Sequence, residues 1–112
     1  MIFITGPMFS GKRAAAKKLL GCDDAELETR CACDVQELVH QREDIEALAD
    51  ELAKYDAVTA AEIGGGVVPL DPGERAARER AGRLACLLAE RAETVVRVFC
   101  GIPKTIKGEK KK

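Results

Sequence analysis

The stretch Gly6-Pro7-Met8-Phe9-Ser10-Gly11-Lys12-Arg13 decides the fold. Glycine, four residues, glycine and lysine make a phosphate-binding turn only with a strand before them and a helix after them. Both are legible. Residues 2–5 read as a short buried strand, and Lys12 to Leu20 as a helix that Gly21 ends. The glycines permit a tight turn whose backbone N–H groups point inward, and the helix start adds partial positive charge. Lys12 would reach the outer phosphates as a point charge. Gly6, Pro7, Met8, Phe9, Ser10, Gly11, Lys12 and Arg13 are therefore the expected nucleotide-binding residues, for GTP or ATP. The bland reading keeps two turn glycines and a solvated lysine at a helix start.

Position 13 departs from the usual loop. A Ser or Thr after the lysine normally offers its hydroxyl to Mg2+. Arg13 cannot ligate a metal, and its charge opposes the ion, so weak or Mg2+-independent nucleotide binding is expected.

Working outward, residues 22–29 are polar and acidic and read as a loop. Arg30–Cys33 reads as a second short strand ending at Asp34, which can cap a long helix from Val35 to Lys54. Leu38, Ile45, Ala49 and Leu52 form that helix's apolar stripe. Ala57–Ala61 reads as a strand and Glu62 to Leu70 as a glycine-rich loop. Asp71-Pro72 starts a further helix, with Ala77, Ala81, Leu84 and Leu88 on its inner face. A last strand spans Thr94–Cys100. Strands alternating with helical crossovers predict an α/β class, a small three-layer P-loop NTPase-like fold with a mostly parallel sheet. Ligands then bind at the carboxyl ends of the strands.

At 112 residues the chain is expected to form one domain, 1–112, with a basic tail at about 104–112. Its hydrophobic residues are mostly Ala, Leu and Val, with no Trp and three Phe, so the core needs helices laid closely over a sheet. The chain is small for such a fold, and a homo-oligomer is expected to cover what one copy leaves open. A balance of 18 basic and 19 acidic residues gives no polyanion-binding surface, so no nucleic-acid partner is expected. No secretory leader or membrane span is visible. An odd number of cysteines, five, fits a reducing, cytoplasmic setting, and all five read as buried or inert thiols.

Two carboxylates follow strands. Asp34 would hold a water on Mg2+ or cap its helix, or both. Glu62 would serve the ion or a bound hydroxyl, or is solvated. The expected catalytic set is Lys12, Asp34 and Glu62, with Asp34 and Glu62 as metal ligands. His40 falls off the apolar stripe and reads as a surface residue. Cys31 and Cys33 share one side of a strand without the further ligands of a zinc site.

Ala61-Glu62-Ile63-Gly64-Gly65-Gly66-Val67-Val68-Pro69-Leu70-Asp71-Pro72, with Arg75, Gly82, Arg83 and Leu84 after it, resembles the bifunctional adenosylcobinamide kinase and adenosylcobinamide-phosphate guanylyltransferase family. So do Gly101-Ile102-Pro103 and Lys107-Gly108, and Ile2–Lys12 fits that family's phosphate loop. Thymidine kinases have a similar opening, but nothing later in the chain resembles them. The resemblance implies an enzyme that phosphorylates the aminopropanol hydroxyl of a corrinoid. It then transfers a guanylyl group from GTP to that phosphate through a guanylylated histidine. It also implies a cytosolic oligomer with an open parallel sheet, in which Asp34 matches the aspartate ending the central strand and Glu62 the glutamate before the glycine loop. The chain has Arg13 for the family's serine and Ala61 for its asparagine. The family's histidine lies in a longer segment that is here the short run Gly21–Ala32, without histidine, so that role is not carried onto His40. Three readings stay open: a kinase for a corrinoid or another alcohol, a non-catalytic nucleotide- or phosphate-binding module, and a structural remnant of the fold.

Overall fold

Phe3 and Ile4, neighbours in sequence, are buried in two different clusters, and that alternation sets the architecture. A strand apolar on both faces needs a layer of helices on each side. The computed structural model describes residues 1–7, 10–62 and 72–108. Within them lie strands β1 (Ile2–Gly6), β2 (Cys31–Ala32), β3 (Ala57–Ala61), β4 (Thr94–Phe99) and β5 (Ile102–Lys107). The helices are α1 (Lys12–Leu20), α2 (Asp24–Arg30), a 3₁₀ helix Val35–His40, α3 (Ile45–Leu52) and α4 (Pro72–Arg91).

The sheet order is β2-β3-β1-β4-β5, parallel except for β5. The two helical layers divide the core between them. Phe3, Val58 and Val95 cluster with Val35, Val39, Ile45, Leu48 and the inner residues of α4. Ile4, Val96 and Val98 cluster with Ala15 and Ala16 of α1 and Leu27 of α2. The fold is thus the α/β P-loop-like, mostly parallel arrangement expected. Ala77, Ala81, Leu84 and Leu88 are the buried residues of α4, as its period predicts.

Three expectations are corrected. Residues 22–29 are not all loop: Asp24–Arg30 is helical, with the Asp23 carboxylate accepting from the Glu26 N–H at 2.8 Å. The long helix from 35 to 54 is broken. Its first part is 3₁₀, and a new helix starts where Asp44 accepts from the Ala47 N–H at 3.1 Å. The break shifts the phase, so Val39 is buried (1% exposed) and Leu38 is not (38%). Replacing Asp44 with Ala should lower stability by about 1 kcal/mol in denaturant unfolding, the usual loss for an N-cap carboxylate.

The third correction is β5. Residues 102–107 pair antiparallel with β4, and the turn between them places Cys100 (φ 52) and Gly101 (φ 77) at positive φ. Two-residue hairpin loops of type I′ require those signs. Lys104 and Lys107, expected in a basic tail, therefore lie in a strand. Lys107 Nζ donates to the Ala89 and Glu90 carbonyls (2.9 and 3.0 Å), near the negative end of α4. Met8, Phe9, the Gly64–Gly66 loop, Asp71 and Lys110–Lys112 lie outside the described residues.

Candidate functional site

Parallel pairing aligns the carboxyl ends of β1, β2 and β3, and the chain leaves each one carrying chemistry. From β1 it enters the phosphate loop, from β2 it reaches Cys33 and Asp34, and from β3 it reaches Glu62. A cavity of about 340 Å³ opens there, lined by Ser10, Gly11, Lys12, Arg13, Asp34 and Thr59, among others. Lys12, Arg13 and Asp34, singled out in sequence, are thereby brought together.

The described residues of the Gly6–Arg13 stretch are unusual in backbone and burial. Gly6 (φ 155) and Gly11 (φ 93) adopt backbone that side chains resist. Lys12 is buried, 7% exposed, and its Nζ donates to the Pro7 carbonyl at 2.7 Å. Ser10 is 5% exposed, and its Oγ is buried without a hydrogen-bond partner among the described residues. An orphaned buried hydroxyl beside a buried lysine at a helix start is costly unless something polar completes it. Arg13, by contrast, is exposed at the rim.

Asp34 reaches the cavity by a device that sequence reading missed. Its side chain makes no cap hydrogen bond; instead its φ is 55, and its backbone N–H donates to Thr59 Oγ1 at 3.0 Å. Left-handed backbone disfavours most side chains by about 1–2 kcal/mol, with Asp among the tolerated exceptions. The buried Thr59 hydroxyl in the middle of β3 holds that conformation and leaves the carboxylate free of helix capping. Gln36 does similar work. Buried at the start of the 3₁₀ helix, it accepts from the Ala61 N–H through Oε1 (2.9 Å) and ties that helix to the end of β3.

Glu62 does not line the cavity, although its N–H donates to the Gly6 carbonyl at 2.8 Å. Arg97 of β4 donates to both its carboxylate oxygens, at 2.6 and 3.0 Å, so the bridge spans the end of β1. Hydrogen bonding from Arg97 holds the Glu62 carboxyl below its ordinary range. Because the folded-state pKa is depressed, the pair's contribution is present above the ordinary carboxylate pKa. It is lost as pH falls through the lowered value. Arg97→Met should return Glu62 to the ordinary range in an NMR titration, with a stability change of at most about 1 kcal/mol, as for other half-exposed pairs. Among the described residues no group of three or more His, Cys, Asp or Glu is placed to hold a metal ion.

The remaining candidates fall outside the cavity or line it passively. His40 is exposed, 4.0 Å from Glu37, and does not line it. Cys33 lines it and donates to Cys31 Sγ at 3.7 Å. Burial, with Cys33 beside it, pushes the Cys31 thiol up to about 12, so it stays protonated at neutral pH. Of the five cysteines Cys31 is buried, Cys22 and Cys33 are half-buried, and Cys86 and Cys100 are exposed, so burial does not describe them all. No described helix is long and apolar enough to cross a membrane.

A mostly parallel sheet with helices, with a buried lysine at the start of the helix after β1, defines an α/β protein of P-loop-like fold. The family model for cobinamide kinase / cobinamide phosphate guanyltransferase matches residues 25–106, and the chain belongs to that family. The match begins beyond the Gly6–Arg13 stretch. A comparison with curated proteins gives no match.

Proposed function

We propose that the chain binds the phosphates of GTP or ATP on the Gly6–Arg13 loop and transfers a phosphoryl group to a corrinoid alcohol. The observation that carries this is the shared cavity: buried Lys12, the Ser10 hydroxyl, unpartnered among the described residues, and Asp34 line one space at the carboxyl ends of the strands. Lys12 neutralises phosphate charge, the loop orients the chain of phosphates, and Asp34 lies where an incoming hydroxyl or an ion would be handled. Mg2+ on nucleotides is held largely by phosphates and water, with one or two protein oxygens. Asp34, which lines the cavity, fits that demand, whereas Glu62 is engaged by Arg97. When bound, the ion would neutralise charge on the phosphate oxygens. Guanylyl transfer through a histidine is not part of the proposal, because His40 does not line the cavity. Assembly into a homo-oligomer in the cytoplasm belongs with that reading.

Arg13 favours a second reading, a phosphate-binding module without transfer, since a cation stands where the metal-binding hydroxyl belongs. Calorimetry with GTP and ATP, with and without Mg2+, followed by assay of labelled γ-phosphate transfer to cobinamide, separates the two. Mg2+-enhanced binding with transfer supports the kinase. Binding indifferent to Mg2+ without transfer supports the module. Absence of binding to either nucleotide rejects both.

A further inference from the structure

The β4–β5 hairpin carries a feature that the cavity does not use. Its turn abuts the phosphate loop: the Gly101 N–H donates to the Ser10 carbonyl at 2.8 Å, and a Cβ on Gly11 would stand 3.4 Å from the Gly101 Cα. The residues flanking this turn, Phe99 and Ile102, are direct partners across the ribbon and are 55% and 70% exposed. Exposed large apolar side chains on an edge ribbon invite unwanted pairing, so their persistence beside a ligand loop asks for an occupant.

The ring is held ready. Arg97, two residues earlier on the same strand, places its guanidinium 5.7 Å from the centre of the Phe99 ring, and Glu62 grips that guanidinium with two hydrogen bonds. A fixed cation on one face of an aromatic ring leaves the other for a planar partner. The loop separates two sides: Lys12, Asp34 and Thr59 line the cavity toward β3 and β2, and the hairpin turn stands on the β4 side. A nucleotide lying across the loop with its outer phosphates toward Lys12 and Asp34 directs its sugar and base toward that turn.

We infer that Phe99, with Ile102 beside it, is the stacking seat for the nucleobase of the nucleotide whose phosphates the Gly6–Lys12 loop holds. This rests on the nucleotide-binding reading above and adds a subsite to it. A stack uses the face of a base and not its edge, so GTP and ATP should gain equally from it.

The test uses the full chain with three probes: GTP, ATP and inorganic tripolyphosphate, which has no base. Phe99→Ala should weaken GTP and ATP about tenfold and leave tripolyphosphate unchanged. The chain has no tryptophan. Phe99→Trp therefore supplies a single tryptophan, whose selectively excited emission should be quenched by GTP and not by tripolyphosphate. Wild-type protein that binds tripolyphosphate as tightly as GTP overturns the base seat and leaves the phosphate loop standing. Failure to bind any of the three overturns both. Phe99→Ala that leaves nucleotide affinity unchanged, or weakens all three probes alike, also overturns it. A shift of that variant to a smaller species in sedimentation, with nucleotide affinity unchanged, would instead assign the face to contact between copies.

Discussion

Lys12→Met is expected to weaken GTP binding by about 10- to 100-fold while leaving the unliganded protein as stable as before, or slightly more so. The two halves come from one fact. Lys12 is buried, its Nζ donates to the Pro7 carbonyl, and it forms no ion pair among the described residues. A buried cation satisfied by a single neutral carbonyl is a burden on the empty protein, since its desolvation is only partly offset. Methionine keeps the length of the stem and removes the charge, so the empty site loses that burden. The liganded site loses a charge-assisted contact to phosphate, which is worth about 1.5–3 kcal/mol for hydrogen bonds of this kind. Calorimetric titration and thermal unfolding of the same preparation check both signs. Retention of GTP affinity within threefold would show that the lysine is architectural, and the phosphate role would be withdrawn.

The parts of the molecule legible in sequence are those whose period runs long enough to be unambiguous. In α4, Ala77, Ala81, Leu84 and Leu88 repeat at spacings of four, three and four, and all four are buried. At α1, Gly21 takes the left-handed conformation (φ 64) that a helix-ending glycine permits. The failures have equally local causes. Leu38 and Ile45 are seven apart, a spacing that suits one continuous helix, yet Asp44 caps a new one between them. The short helix at Asp24–Arg30 buries one residue, Leu27, too few to show a stripe, although Asp23 and Glu26 have the spacing of a capping box. In β5, Pro103 and three polar residues obscure the alternation, and the pairing depends on a turn read only as the close of β4.

Legibility of the site follows the same division. Gly6, Gly11 and Lys12 belong to one local motif, and Asp34 needed only the premise that parallel strands share a carboxyl end. Glu62 was located correctly along the chain, but its partner Arg97 lies 35 residues away and two strands across. Only the sheet order brings the two together. Thr59 was missed because it sits in an otherwise all-apolar strand, where threonine reads as a core residue with good β propensity. Its hydroxyl does its work through the backbone of Asp34, a relation that neither residue type nor spacing announces.

Gly6→Ala should be the most damaging single-methyl change in the protein, lowering stability by about 2–4 kcal/mol and abolishing nucleotide binding in whatever fraction still folds. A Cβ there would stand 2.2 Å from the Val98 carbonyl oxygen and 2.9 Å from Ser10 Oγ, with Gly6 at φ 155. The serine can rotate; the carbonyl cannot, because Val98 lies in β4 and pairs with Pro103 on its other side. Relief therefore requires β4 to move away from β1, across the register that runs from Ile2–Thr94 to Thr5–Arg97. The same movement would displace the hairpin turn, whose Gly101 N–H holds the Ser10 carbonyl, and so distort the phosphate loop. Gly21→Ala is the control. Its φ is 64, but nothing lies within 4 Å of the added carbon. That change should lower stability by about 1 kcal/mol through backbone strain alone and leave binding intact. Denaturant midpoints and GTP titrations of the two variants separate crowding at the loop from the general penalty of a left-handed residue. Equal losses in the two would mean that the close approach of β1 to β4 is not what positions the site.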